Sequence, residues 1–288
     1  MMDRRAFVRL SALAAAAGCV VRTPMQAWGA SSDMHYGVQL FMVRRQAVVD
    51  LAAVLQGIRQ VGFTEVELYP VVYSHTAAEL KKMVEDAGLT TPAAHFNYAG
   101  LEDKVEYGHG LGLKYFVCPM LPEAQWGTLA GFRQAAELFN RVGAKCKAAG
   151  MEFCFHNHCY EFRPMEGSTG FAELMQHTDA KLVKLEFDMY WLAQAGQDPL
   201  AMLKKYANRV RLIHMKDRVA GAPTGYDMGK VAEHFTELGK GSLNWTVLLA
   251  QAKAQGVRHA FLDQDETAGP VMESMRESFA YLKTLQIG

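Results

Sequence analysis

The stretch EFCFHNHCYEF, residues 152–162, sets His156 and His158 two residues apart and Glu161 three further on. Three later stretches carry related side chains. VKLEFDMYW (183–191) holds Lys184, Glu186 and Asp188; VRLIHMKD (210–217) holds His214 and Lys216; HAFLDQDE (259–266) holds Asp263 and Asp265. Imidazoles and carboxylates are the side chains that take divalent ions, and they also move protons at reacting carbon centres. Successive side chains of a strand point to opposite faces. In the first stretch Phe153 and Phe155 share one face, and Cys154, His156 and His158 share the other. In the next, Val183, Leu185 and Phe187 oppose Lys184, Glu186 and Asp188. Arg211, Ile213 and Met215 oppose Leu212, His214 and Lys216, and Ala260 and Leu262 oppose Phe261, Asp263 and Asp265. Burying such groups unpartnered costs about 1–3 kcal/mol each. A divalent ion satisfies several at once; the blander reading is a set of hydrogen-bonded core residues. The HNH letters also name a nuclease motif, but that motif spreads its residues over a hairpin and a helix, which contiguous strand residues do not match.

Elements that position these faces alternate along the chain. Strands are expected at 36–41, 65–69, 92–98, 115–120, 152–158, 183–191, 210–217 and 259–266, with helical patterns between them. Several helices end in glycine just before the next strand, at Gly62, Gly88, Gly150 and Gly256, where a left-handed residue closes a helix. Eight strand–helix repeats predict an α/β fold, a single-domain (β/α)8 TIM barrel over residues 33–288. A doubly wound open sheet is the alternative, weakened by the absence of a glycine-rich phosphate turn after the first strand.

The chain has 288 residues, zero net formal charge, 21% charged and 50% hydrophobic residues. That balance supplies a large core and no basic footprint for nucleic acid. No apolar run in the body of the chain is long enough for a membrane span. Residues 1–30 differ. Arg4-Arg5, then Phe7 and an Ala-rich apolar segment, read as a twin-arginine (Tat) export signal and predict a periplasmic protein. AAGC ending at Cys19 is a weak lipobox, an option for a lipid anchor; Ala27-Trp28-Gly29 is a candidate cleavage site. Cys118, Cys146, Cys154 and Cys159 show no CxxC spacing and read as packed free thiols.

In FHNHCYEF, FDMYW, IHMKD, ELGKGSLNW and FLDQDE, in that order, the chain resembles the xylose isomerase-like sugar isomerase/epimerase superfamily of TIM barrels across nearly all of residues 34–288. The resemblance implies one divalent ion (Mn, Co, Zn, Fe or Mg) held by one side chain from each of strands five to eight, here His156, Asp188, His214 and Asp263. His156 stands where the family usually has a carboxylate, and Asp263 shortens a glutamate. Those glutamates also move protons in the family's epimerases, and a metal-bound histidine lacks the lone pair to do so. The catalytic candidates are therefore Glu161 and His158 as bases, with Lys216 steadying an enediolate or forming an interior salt bridge. Glu67, His95, Tyr190 and Trp191 are candidate carbohydrate contacts, the aromatic pair either stacking on a sugar or plugging the barrel mouth. Gly239, Gly241 and Trp245 match a Gly-x-Gly turn before a helix, a place for phosphate, but an exported location favours an unphosphorylated sugar.

The implied activity is a metal-dependent isomerase or epimerase acting on a keto-sugar or polyol by C–H proton abstraction next to a carbonyl. A lyase or dehydratase, such as a 3-keto-glycoside eliminase, is the alternative. A non-catalytic periplasmic sugar-binding protein is another, and a repair endonuclease of the same superfamily is opposed by the charge balance. Oligomeric state is left open.

Overall fold

The apolar faces read from the sequence turn outward and the polar faces turn in. The computed structural model describes residues 34–230 and 232–287. Residues 1–30, read above as an export signal, and Cys19 within them lie outside the described residues. Eight strands alternate with helices: β1 His35–Gln39, β2 Glu65–Glu67, β3 Ala93–His95, β4 Tyr115–Cys118, β5 Glu152–His156, β6 Val183–Asp188, β7 Val210–Met215 and β8 His259–Leu262. They pair in parallel in the order β2-β1-β8-β7-β6-β5-β4-β3. Parallel bridges Glu65–Thr90 and Leu68–Ala94 close the ring between β2 and β3. This is the (β/α)8 barrel, with β5 to β8 side by side.

Between the strands run α1 Arg44–Val49, α2 Leu51–Val61, α3 Ala77–Asp86, α4 Val105–Leu111, α5 Leu129–Ala148, α6 Gly170–His177, α7 Met189–Gln194, α8 Pro199–Lys205, α9 Trp245–Ala254 and α10 Val271–Leu282. Their starts are capped from the sequence. Asp50 accepts the Ala53 amide, Thr128 that of Gly131 and Asn244 that of Val247, while Thr76 and Glu79 form a capping box. Gly62, Gly88, Gly150 and Gly256 all have positive φ, between 71° and 122°, as expected for glycines closing helices. None of the described helices is long and apolar enough to cross a membrane.

The longest helix, α5, shows how the packing orients β5. Phe132, Ala135, Ala136, Phe139 and Val142 form its buried stripe. Phe139 sits 5.1 Å from Phe153 and 5.3 Å from Phe155, ring centre to ring centre. Each such aromatic, fully buried, contributes about 1.5–3 kcal/mol. A one-residue slip would exchange this face for the histidine face, so the register of β5 is strongly specified.

Inside the barrel, Ala93, Tyr115, Val117, Cys154, Leu212 and Phe261 form a separate apolar layer. At Gly37 a Cβ would run into the Phe261 ring and the Glu65 carbonyl, so glycine there lets Phe261 fill the axis. Lys184 lies below this layer, its ammonium on the Ala180 carbonyl at 2.7 Å. Cys118, Cys146, Cys154 and Cys159 are buried free thiols. Burial pushes Cys118, Cys146 and Cys159 up to about 12.

All eight strands end sooner than the sequence pattern indicates, and two of these ends shape the site. The expected strand 183–191 ends at Asp188, whose Oδ1 accepts the Trp191 amide at 2.9 Å and starts α7. A carboxylate at an N-cap outcompetes continued strand pairing because it satisfies an otherwise orphaned helix donor. Likewise 152–158 leaves the sheet after His156.

Candidate metal centre and active site

Asp188, His214 and Asp263 come together at the C-terminal mouth, their ligand-type atoms all within 4.8 Å of one another. His214 Nδ1 lies 3.3 Å from Asp263 Oδ2 and 4.0 Å from Asp188 Oδ2. His156 Nε2 is 4.0 Å from the same Asp188 oxygen. Thus the four residues of the expected ligand set converge. A second set lies deeper: His95, His156, Glu186 and His214 also meet within 4.8 Å. Asn157 ties the ends of β5 and β6 together, accepting the Asp188 amide at 3.1 Å and reaching the Asp188 carbonyl at 3.5 Å.

The charges in this cluster do not balance by themselves. Glu67, Glu186, Asp188 and Asp263 are essentially fully buried and Asp265 is partly buried, and they face the Lys216 ammonium and the charged His214 ring. The Lys216 ammonium is 3.2 Å from Asp188 Oδ2, 2.9 Å from Asp263 Oδ2 and 2.7 Å from Asp265 Oδ1. Asp263 Oδ1, Glu67 Oε1 and Glu186 Oε1 have no hydrogen-bond partner, and Asp188 Oδ2 has the Lys216 ion pair but no hydrogen bond. Burial raises Asp188 to about 6 against the pull of Lys216. Burial, then the charge of Glu186, raises Glu67 to about 7. Burial alone would depress His214, but Glu186 and Glu67 more than reverse it and hold it well above the usual histidine range. His156 is pushed down to about 3 by burial and by His214, so it is neutral with a lone pair to give. Orphaned carboxylate oxygens beside a neutral imidazole are what a divalent cation needs, and the mixed N/O donor set suits Mn, Co, Zn or Fe. The residues therefore fit the cation that the fold family implies.

A cavity of about 190 Å³ opens over this cluster. Its polar floor includes Gln39, His95, His156, His158 and Asp263, and its walls include Phe41, Tyr69, Met120 and Met228. Among the described residues, no lysine or arginine lines it. His158 Nδ1 is buried without a hydrogen-bond partner, and burial holds this imidazole well below its ordinary value.

The other expected residues fall elsewhere. Glu161 is fully buried in the turn Tyr160–Phe162, both carboxylate oxygens 3.0 Å from the His158 amide, and does not line the cavity. Tyr190 and Trp191 are 0% and 1% exposed. Because α7 begins at Asp188, they pack into the wall against Phe235, at 4.5 and 5.9 Å, instead of facing a sugar. Of the plug and stacking alternatives, this placement matches the plug. Lys216 is 1% exposed and lies in the salt-bridge arrangement. His95 lines the cavity; Glu67 sits beneath it, held by Gln39 at 2.7 Å and His214 at 2.6 Å. The amides of Gly239, Gly241 and Leu243 all point at the Asp217 carboxylate, at 3.0, 3.3 and 3.2 Å, so this turn already holds an anion of its own. The sequence reading missed Gln39, Asn157 and the central place of Glu186. The inward parity of Glu186 was legible, but only as a partner for Lys216.

Residues 55–285 match the family described as xylose isomerase-like TIM barrel. The chain belongs to the xylose isomerase-like TIM barrel family. An inosose dehydratase of Clostridium perfringens is 39% identical over 98 residues, 34% of this chain and 30% of that protein. The chain thus spans about a third of that relative's length. A sugar phosphate isomerase/epimerase from Parabacteroides distasonis has a similar solved structure, with a TM-score of 0.72 at 23% identity, covering 88% of this chain and 95% of that one. So does an IolI protein described with a bound zinc atom, with a TM-score of 0.67 at 12% identity, covering 87% and 97%. These two likenesses are of fold. Within the family's barrel the chain carries a buried His/Glu/Asp cluster able to bind a metal.

Proposed function

We propose that the chain is a divalent-metal-dependent enzyme that removes a proton from carbon next to the carbonyl of an unphosphorylated keto-sugar or keto-polyol. The observation that carries this reading is the meeting of Asp188 Oδ2, His214 Nδ1, Asp263 and His156 Nε2 at the mouth of the barrel, where Asp263 Oδ1 has no hydrogen-bond partner. The zinc of the IolI protein supports a single ion in such a fold. A divalent ion held by these four would polarise the substrate carbonyl and acidify the adjacent C–H. His158, which lines the cavity and whose imidazole burial keeps neutral, takes the proton. His95 and Gln39 orient hydroxyls. Lys216 acts through the carboxylates it neutralises. The Gly-x-Gly turn filled by Asp217, with no lysine or arginine among the described lining residues, favours a substrate without phosphate.

Epimerisation by two bases needs a second free base across the substrate. Of the cavity's imidazoles and carboxylates, His156 and Asp263 belong to the metal set, Asp265 is held by Lys216 and His95 is held through Nε2 by Glu186, which leaves His158. One free base favours elimination: the C–H bond breaks, the β C–O bond breaks, a C=C bond forms, and water or an alcohol leaves. The inosose dehydratase relatives point the same way. Isomerisation, with the proton returned at the neighbouring carbon by the same base, is the second reading, supported by the isomerase/epimerase neighbour.

Metal-loaded protein incubated in deuterated water with ketoses, keto-inositols and 3-keto-glycosides separates them. Release of water or aglycone with a new enone absorbance marks elimination. Deuterium at carbon with the substrate otherwise intact marks isomerisation. Neither across the panel, with sugar bound and under about 0.1 ion per chain after reconstitution, would make the protein a sugar-binding module. The reading of residues 1–30 as an export signal places this activity in the periplasm.

A further inference from the structure

Two carboxylates that no substrate can touch lie directly beneath the proposed metal position. Glu186 and Glu67 are both 0% exposed, and neither lines the cavity. Glu186 Oε2 is 2.8 Å from His95 Nε2, 3.0 Å from His156 Nδ1 and 3.2 Å from His214 Nε2. Glu67 Oε2 is 2.6 Å from His214 Nε2. A carboxylate costs several kcal/mol to bury, so a buried pair at this spot calls for a compensating role.

The tautomers supply one. A neutral imidazole has one N–H and one lone pair. If His156 donates Nδ1–H to Glu186, Nε2 carries the lone pair, and Nε2 is the atom facing Asp188 Oδ2. His214 gives Nε2–H to Glu67, and its Nδ1 faces Asp188 and Asp263. In the metal-free chain the charged ring carries a proton at Nδ1 as well, and a cation would take that proton's place between the ring and the two carboxylates. A carboxylate in place of His156 would have no N–H to give Glu186 and would add a like charge. The buried Glu186 therefore makes chemical sense with a histidine at the end of β5.

We propose that Glu186 is a positioning residue that fixes the tautomer and ring orientation of His156, so that Nε2 is presented to the metal, with Glu67 doing the same for Nδ1 of His214. The assignment rests on the metal reading above and adds to it the residues that aim two of the four ligands. Carboxylates behind ligand histidines raise ligand basicity, and their loss typically costs about 10–100-fold in metal affinity.

The tautomer is read first in the wild-type protein. Nitrogen-15 spectra of the metal-free chain at neutral pH, with His156 assigned by comparison with His156→Gln, should show His156 protonated at Nδ1 and bare at Nε2. The opposite tautomer overturns the proposal. Cobalt(II) is then titrated into wild type, Glu186→Gln, His156→Gln and the double variant, followed by calorimetry and by the visible d–d bands. Glu186→Gln should bind cobalt about 10–100-fold more weakly, with altered bands and an unchanged far-UV spectrum. In the His156→Gln background the same change should cost much less, because its target is gone. Wild-type affinity in Glu186→Gln, or an equal loss in both backgrounds, overturns the positioning role. A wild-type chain that takes up no cobalt overturns the metal reading itself, and this assignment with it.

Discussion

His156 is neutral because burial makes its charged form costly, and Asp188 faces it with the oxygen that also meets the Lys216 ammonium at 3.2 Å. Asp188→Asn keeps an N-cap side chain for α7 but removes that charge. We expect loss of more than about 100-fold in metal affinity, beyond the effect of a supporting residue, with the far-UV spectrum intact; metal analysis after dialysis checks it. Glu161 tests a different property. Burial pushes its carboxyl up to about 8, against about 4.3 in an unfolded chain. Between those values the folded chain holds a proton that the unfolded chain has released, so this group's contribution to stability is full below about pH 4 and is lost as pH rises through about 8. Glu161→Gln removes that slope. The melting temperature of the variant should gain on wild type as pH is raised across this window, and a difference independent of pH would refute the assigned state.

At the scale of elements, the site is built by where strands stop. β5 stops at His156 and β6 at Asp188, so the ligand-type residues sit on the last inward positions of the sheet, where the barrel is open. The alternation that put Phe153, Phe155 and Phe187 outward and His156, Glu186 and Asp188 inward was legible because it is a local, period-two property. The end of β6 was not, since MYW reads equally well as strand or as the first turn of a helix until Asp188 is seen to cap it. The same economy governs helix ends. Gly62 closes α2 with φ of 122°, and the place a Cβ would take is filled by the Phe279 ring of α10. Gly62→Ala should destabilise the fold by about 1–3 kcal/mol, read from urea midpoints, without changing cobalt affinity.

For the whole molecule, a cation that binds only the folded chain stabilises it by mass action, about 2.7 kcal/mol at a hundredfold excess over Kd. In a domain of this size that is about 5–10 °C in melting temperature. Chelation should lower the melting temperature by that much and added metal should restore it. Indifference to both would sink the metal reading independently of any substrate. Export is tested separately: Arg4→Lys with Arg5→Lys should leave the chain in the cytoplasm upon fractionation, and unchanged periplasmic recovery would remove the reading of residues 1–30.

What the amino-acid sequence determined alone was the alternation of strands and helices, the facing of each side chain, and the set of inward groups on the last four strands. These depend on neighbours two to four residues away. Tertiary structure alone decided which inward groups meet. Barrel closure, tilt and stagger bring His95 and Glu67 from early strands against Glu186 and His214 from late ones. The same closure leaves Tyr190, Trp191 and Glu161 out of the cavity and turns the Gly239–Gly241 amides onto Asp217. Such contacts span dozens of residues and are fixed by packing around a common axis, which no local pattern encodes.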